Sequence, residues 1–243
     1  MPYFERGDVT IYYADHGAGF PLLLFGPGGM NSTVDAWKRA TINPLTVYRG
    51  DFRLIAMDQR NFGQSTGPLD VTDPWGSFAG DQLALLDHLG IDRFHLMGCC
   101  IGGPYALKLI EQAPARIRAV VLEQPSGVVH DNAHLFDARW RTWATGMAQE
   151  RADIDLETAE EFGTRMWQGA DFMVSVSRDF IRSCITPMLV LPGTDEAHPT
   201  AVGRELAALA PQGELLELWK DTPEHTAQAV EVVRRFLRNH TPE

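Results

Sequence analysis

Two adjacent cysteines sit inside a glycine frame, Gly98-Cys99-Cys100-Ile101-Gly102-Gly103. A thiol of ordinary pKa, about 8.5, is only a few per cent thiolate at neutral pH, so a cysteine that does chemistry needs a base and a field that favours its anion. The frame points to such a setting. Arg93-Phe94-His95-Leu96-Met97 is short, largely apolar and ends at a glycine, as a buried strand does. Ile101 to Ala113 is helix-like, with Tyr105, Leu109 and Ile110 at helical spacing, and Pro104 falls in the first turn, where proline is tolerated. A strand that turns into a helix within one residue strains the residue at the apex and points its side chain outward. The next residue's N–H is then free at a helix N-terminus to hold an oxyanion. Glycines two before and two after let the turn close. That register selects Cys100, because centring on Cys99 would need glycines where Met97 and Ile101 stand. Cys99 reads as a buried small hydrophobe.

The elements that must position this turn follow from the rest of the chain. Its 243 residues suit one domain with room for an insertion, and 44% hydrophobic with 22% charged residues is the balance of a globular protein. A net charge of −11 argues against nucleic acid and anionic membranes as partners. Three cysteines, two of them adjacent, make no disulfide framework, so a reducing, cytoplasmic setting is expected. Met1 to Gly19 carries charge throughout, and the apolar run Pro21 to Phe25 is too short for a signal peptide or a membrane span.

Pro2–Arg6 and Val9–Ala14, joined by Gly7-Asp8, read as a hairpin. Further strands are expected at 21–25, 52–57, 93–97, 119–122, 187–191 and 214–218, with helices at 76–89, 101–113, 200–209 and 226–237. Between 128 and 182 the pattern changes to irregular helix rich in aromatics. The fold class is α/β: a doubly wound, mostly parallel eight-stranded sheet flanked by helices, with an antiparallel start and a small helical lid after the sixth strand. Residues 1–127 and 183–243 form the core domain and 128–182 the lid, with Ser126-Gly127 and the 183–186 segment as hinges. Lid aromatics at helical spacing are usually core. A lid of this size must also roof the sheet's carboxyl edge, which makes Trp140, Trp143 and Trp167, with Met30 below, candidates for a mainly apolar pocket.

Four motifs in order carry a resemblance: Gly26-Pro27-Gly28-Gly29, Asp58-x-Arg60-x-x-Gly63-x-Ser65, Leu85-Leu86-Asp87-x-Leu89-Gly90 and the Gly98–Gly103 turn. Over nearly its whole length the chain resembles the α/β-hydrolase fold superfamily. Its elbow is similar to that of the cysteine-dependent dienelactone hydrolases. Its Asp58–Ser65 loop and insertion are more similar to the lid-bearing ester and carbon–carbon bond hydrolases.

The resemblance implies a triad in the chain order nucleophile, acid, histidine. It makes His225 the base, as the one histidine in the loop expected between the last strand and the last helix. The acid should lie in Pro192-Gly193-Thr194-Asp195-Glu196-Ala197-His198-Pro199. Counting forward from Gly193 selects Glu196 and counting back from Pro199 selects Asp195; Asp195 is favoured, with Glu123 at the end of the preceding strand as an outside candidate. His198 is read as a loop residue. The oxyanion hole would combine the Ile101 N–H with one from Gly28, Gly29 or Met30, since Pro27 cannot donate. Arg60 is expected to pin its loop through backbone carbonyls, and Asp58 to serve a turn.

The function implied is hydrolysis of a small, largely apolar ester, lactone or thioester through a thioacyl enzyme. The partner is a small acyl substrate, and no metal or organic cofactor is implied. The alternatives are a non-catalytic ligand-binding protein on the same fold, and acyl transfer from the same cysteine. The oligomeric state is open, with a homodimer one option.

Overall fold

A computed structural model describes residues 2–129, 132–169 and 171–242. Eight strands form one sheet: β1 (Tyr3–Arg6), β2 (Val9–His16), β3 (Pro21–Phe25), β4 (Arg53–Met57), β5 (Phe94–Cys99), β6 (Ile117–Glu123), β7 (Met188–Leu191) and β8 (Gly213–Leu215). Their order across the sheet is β1-β2-β4-β3-β5-β6-β7-β8. The β1–β2 hairpin joins β4 antiparallel, and every pairing from β4 to β8 is parallel. The expected antiparallel start and parallel body are both present. Central strands are buried on both faces, which is why Leu22-Leu23-Leu24-Phe25 and Leu54-Ile55-Ala56-Met57 are continuous apolar runs rather than alternating ones.

Eight α-helices complete the described chain: α1 (Pro44–Val47), α2 (Pro74–His88), α3 (Gly102–Gln112), α4 (Ala133–Glu150), α5 (Leu156–Trp167), α6 (Arg178–Ser183), α7 (Thr200–Leu209) and α8 (Pro223–Asn239). Local chemistry starts several of them. Asp73 caps α2 through the Gly76 N–H, Asp155 caps α5 through Thr158, and Thr222 caps α8 through His225, with proline in the first turn of α2 and α8. None of the described helices is long and apolar enough to cross a membrane.

Helices α4, α5 and α6 lie between β6 and β7, and α4 packs along α5. This insertion has an interior of its own. Trp140 is buried against Gly163, Phe136 stacks on Trp167 with ring centroids 4.4 Å apart, and Trp143 packs on Phe162. It is tied to the core by the Trp75 indole, which donates to the Met166 carbonyl, and by Phe62 against Trp143. Of the two segments expected as hinges, Ser126-Gly127 is tightly packed. Ser126 is fully buried, and a Cβ on Gly127 would press on Val202 and the Phe172 carbonyl.

Candidate active site

At the carboxyl end of β5 the chain turns into α3 through Cys100, whose φ of 58° is left-handed. A non-glycine residue held there costs on the order of 1–3 kcal/mol, so the surrounding packing must enforce the turn. The glycine frame shows how. A Cβ on Gly98 would overlap the Gly102 carbonyl, and one on Gly102 would overlap the Phe25 carbonyl of the neighbouring strand. The Cys100 N–H donates to Glu123 O at 3.1 Å and its carbonyl accepts from Gly103 and Ser126. Cys99, one residue earlier, is fully buried; burial pushes its thiol well up, and the nearby Glu123 adds to the effect.

Three groups surround the Cys100 sulfur. The Ser126 hydroxyl lies 3.2 Å from Sγ, the Gly28 N–H reaches it from the loop after β3, and the His198 imidazole faces it. Burial alone would raise this thiol; hydrogen bonding and charge from His198, then Ser126 and Gly28, outweigh burial and bring it down to about 6. Burial likewise disfavours the His198 cation, yet the thiolate and Asp195 raise its pKa on balance. Nε2 of His198 is buried without a hydrogen bond of full geometry, a looseness common in ligand-free nucleophile–base pairs.

Asp195 holds the other side of the ring, with Oδ1 and Oδ2 at 2.9 and 3.1 Å from His198 Nδ1. The loop after β7 builds this pair locally. Oδ1 also accepts the Ala197 and His198 N–H groups, and the His198 N–H reaches the Asp195 carbonyl, closing a turn that folds the imidazole back onto its carboxylate. Burial works to raise the Asp195 carboxyl, but its bonds to His198 lower it overall. The Trp219 indole donates to the Pro192 carbonyl at 2.8 Å and anchors the start of the loop.

The other expected site residues fall as follows. His225 is not brought to Cys100. Thr222 caps α8 and Pro223 opens it, so His225 lies within the first helical turn, with Nδ1 3.8 Å from Asp221. The loop expected to present it has been absorbed into a helix that starts three residues before the expected 226. His198, expected to be a plain loop residue, faces the Cys100 sulfur. Glu196 is exposed and points to His134, 3.5 Å away, and not to the site. Glu123 is fully buried beneath the turn, where its carboxylate accepts the Ile42 N–H at 3.2 Å, and burial pushes it up to about 8. Ile101 follows Cys100 at the start of α3, and Gly28 and Gly29 line the same cavity as Cys100 and His198. Met30 and Trp143 line an adjoining cavity of about 480 Å³. Trp140 and Trp167 face the lid interior, and the Trp167 indole meets Met30 Sδ at 3.3 Å. Asp58 serves turns, accepting from Val34 and Gln64. Arg60 makes one contact to the Pro68 carbonyl, but its main partner is buried Asp81, bound through both carboxylate oxygens at 2.7 Å.

Residues 21–179 match the model of the alpha/beta hydrolase fold. The chain belongs to that family. It is 36% identical over 142 residues to 2-hydroxymuconate semialdehyde hydrolase from Pseudomonas sp. strain CF600, covering 58% of this chain and 49% of that protein. The chain spans about half the length of the curated relatives it matches first. Among solved structures, a variant of a meta-cleavage product hydrolase superposes with a TM-score of 0.74 at 20% identity over 98% of both chains. The enol-lactonase from Burkholderia xenovorans LB400 gives 0.69 at 23%, over 98% of this chain and 100% of that one. At these identities the superpositions describe the fold.

Proposed function

We propose that this protein is a hydrolase that cleaves a small ester, lactone or thioester through a thioacyl intermediate on Cys100. The observation that carries the reading is a buried thiol at a strained strand–helix turn, facing an imidazole that is itself held by a carboxylate. The named relatives, a semialdehyde hydrolase and an enol-lactonase among them, support the reaction class.

In the mechanism, His198 and Cys100 form a thiolate–imidazolium pair. The thiolate attacks the substrate carbonyl, and the tetrahedral oxyanion is received by the Ile101 N–H and one from the Gly28–Gly29 loop. The Gly28 N–H, which bonds the sulfur in the resting site, is released for this purpose as the S–C bond forms. His198 gives its proton to the departing alkoxide or thiolate, then takes one from the water that cleaves the thioester. Asp195 fixes the tautomer through Nδ1.

The test is a panel of 4-nitrophenyl acetate, a lactone and a thioester on wild type and Cys100→Ala, with rapid-quench intact mass. The reading expects turnover in wild type, a transient acyl adduct on Cys100, and neither in the variant. Undiminished turnover in Cys100→Ala would overturn it. So would wild type that neither turns over nor acylates, the behaviour of a binding protein, or an adduct that only a non-water acceptor discharges, the behaviour of a transferase.

A further inference from the structure

Asn132 stands just before α4, where an asparagine ordinarily caps a helix by accepting an N–H of its first turn. Here the side chain makes no such bond. It is 1% exposed and serves three backbone groups outside the helix. Oδ1 accepts the Val129 N–H at 2.8 Å, and Nδ2 donates to the Gly127 carbonyl at 3.0 Å and to the Glu196 carbonyl at 3.1 Å. Both amide hydrogens are used. The orientation is fixed by these partners, because an oxygen in place of Nδ2 would face two carbonyls.

The two carbonyls sit beside the two side chains that meet the Cys100 sulfur. Gly127 follows Ser126, whose hydroxyl lies 3.2 Å from Sγ. Glu196 lies between Asp195 and His198, inside the turn that presents the imidazole. The start of that loop is tied to the core by the Trp219 indole on the Pro192 carbonyl and the Thr200 hydroxyl on the Gly193 carbonyl. Its tip is held differently. Among the described residues, 195–197 hydrogen-bond beyond their own loop through Asn132 alone. The exposed contact of His134 with the Glu196 carboxylate comes from the same segment of the insertion.

We infer that Asn132 is a positioning residue, through which the insertion holds the Asp195–His198 turn and the Ser126–Gly127 segment at a fixed separation across Cys100. The inference rests on the hydrolytic reading for its effect on turnover, and on the hydrogen bonds alone for its effect on the thiol. The two segments leave neighbouring strands, β6 and β7, and a single planar amide with both hydrogens engaged sets the gap between them. Without it the turn still closes on itself through Asp195, but nothing holds the closed turn against the sulfur. A misplacement of about 1 Å between a base and its nucleophile costs on the order of 10²-fold in rate. The insertion therefore does more than cover the site.

Asn132→Ser is the test. Serine caps well at this position, so α4 keeps its start, but its hydroxyl is too short to span the two carbonyls. Asn132→Leu, uncharged and of similar size, is the second variant, with circular dichroism and thermal melting to identify folded protein. The titratable and charged groups about the sulfur are His198, Asp195, Glu123, Cys99, Arg39 and Arg139, and neither substitution removes one of them. Iodoacetamide forms an S–C bond at Cys100 as iodide leaves, and its rate against pH is read by intact mass. The wild-type midpoint near 6 should rise by about one unit in the variants, so that the rate at pH 6 falls about fivefold while the plateau at high pH is kept. At pH 8, kcat on 4-nitrophenyl acetate should fall about 10- to 100-fold with KM within about threefold. In a His198→Gln background, Asn132→Ser should move the midpoint no further. His134→Ala should leave the profile in place, since it removes only the exposed contact. A folded Asn132→Ser with the wild-type midpoint overturns the proposal, as does a shift that persists in full without His198. A shifted alkylation profile in a protein that turns over no ester overturns the hydrolase reading and leaves the bridge standing. Cys100-dependent turnover with an unshifted profile does the reverse.

Discussion

The loops after β7 and β8 contain the same two residue types at nearly the same spacing. Asp195 and His198 stand three apart, Asp221 and His225 four apart. In the first loop the carboxylate meets the imidazole at 2.9 Å, the side chain is 14% exposed, and it faces the Cys100 sulfur. In the second the pair is 3.8 Å apart, the ring is 32% exposed, and it rides on the first turn of α8. Spacing alone does not separate them. What separates them is backbone: an aspartate-closed turn at the end of a central parallel strand aims a side chain over the sheet edge, whereas a capped helix start commits it to the helix surface.

That contrast can be broken most directly at the two histidines. His198→Ala should lower kcat by about 10⁴- to 10⁶-fold, as loss of a triad base does, while His225→Ala stays within about twofold. Steady-state kinetics on the same ester decides, and the opposite ranking would restore the base to the second loop. The acids come next. Asp195→Asn should cost about 10²- to 10⁴-fold through misorientation of the ring, against no measurable change for Glu196→Gln.

The electrostatic side of the comparison is read by pH. A folded pKa near 6 means the Cys100 thiolate is present above that pH and lost as pH falls through it. Iodoacetamide alkylation should therefore titrate with a midpoint near 6. His198→Gln should move that midpoint upward, because burial then acts without the imidazole, and His225→Gln should leave it in place. A smaller upward shift, with a severalfold loss of kcat/KM, is expected for Ser126→Ala, which removes the hydroxyl 3.2 Å from the sulfur.

The smallest effect concerns stability. Glu123 keeps its proton in the folded state up to about 8, against an ordinary 4.5. Between those values the unfolded chain has released a proton that the folded chain still binds, so this group lowers stability as pH rises. Glu123→Gln should remove that slope. Urea unfolding at pH 5.5 and 7.5 for both proteins measures it, and equal slopes would contradict the burial of a neutral carboxyl there.

Much of the site was legible because it is local. Gly98 and Gly102 mark two backbone approaches that tolerate no side chain, so the register of the turn and the choice of Cys100 could be read from residue types. The alternation of apolar runs and helical stripes likewise identified all eight strands. His198 could have been found too, since an aspartate three residues before a histidine-proline pair favours a turn that closes on itself. Family order instead points to a base one loop later, at His225. Ser126 carried no such signal. It looked like a hinge, and only the packing of β6 beside β5 puts its hydroxyl on the sulfur.

The amino-acid sequence by itself determined the sheet, the strained strand–helix turn at Cys100 and the glycine loop beside it, because short-range sterics and hydrophobic period act within a few residues. Only the tertiary structure decided that His198 and not His225 faces the Cys100 sulfur, that Asp195 and not Glu196 holds its ring, and that Ser126 stands beside the thiol. Those are contacts between strand ends and loops far apart in the chain. Their geometry is set by how parallel strands stack and by where the next helix begins, and residue spacing records neither.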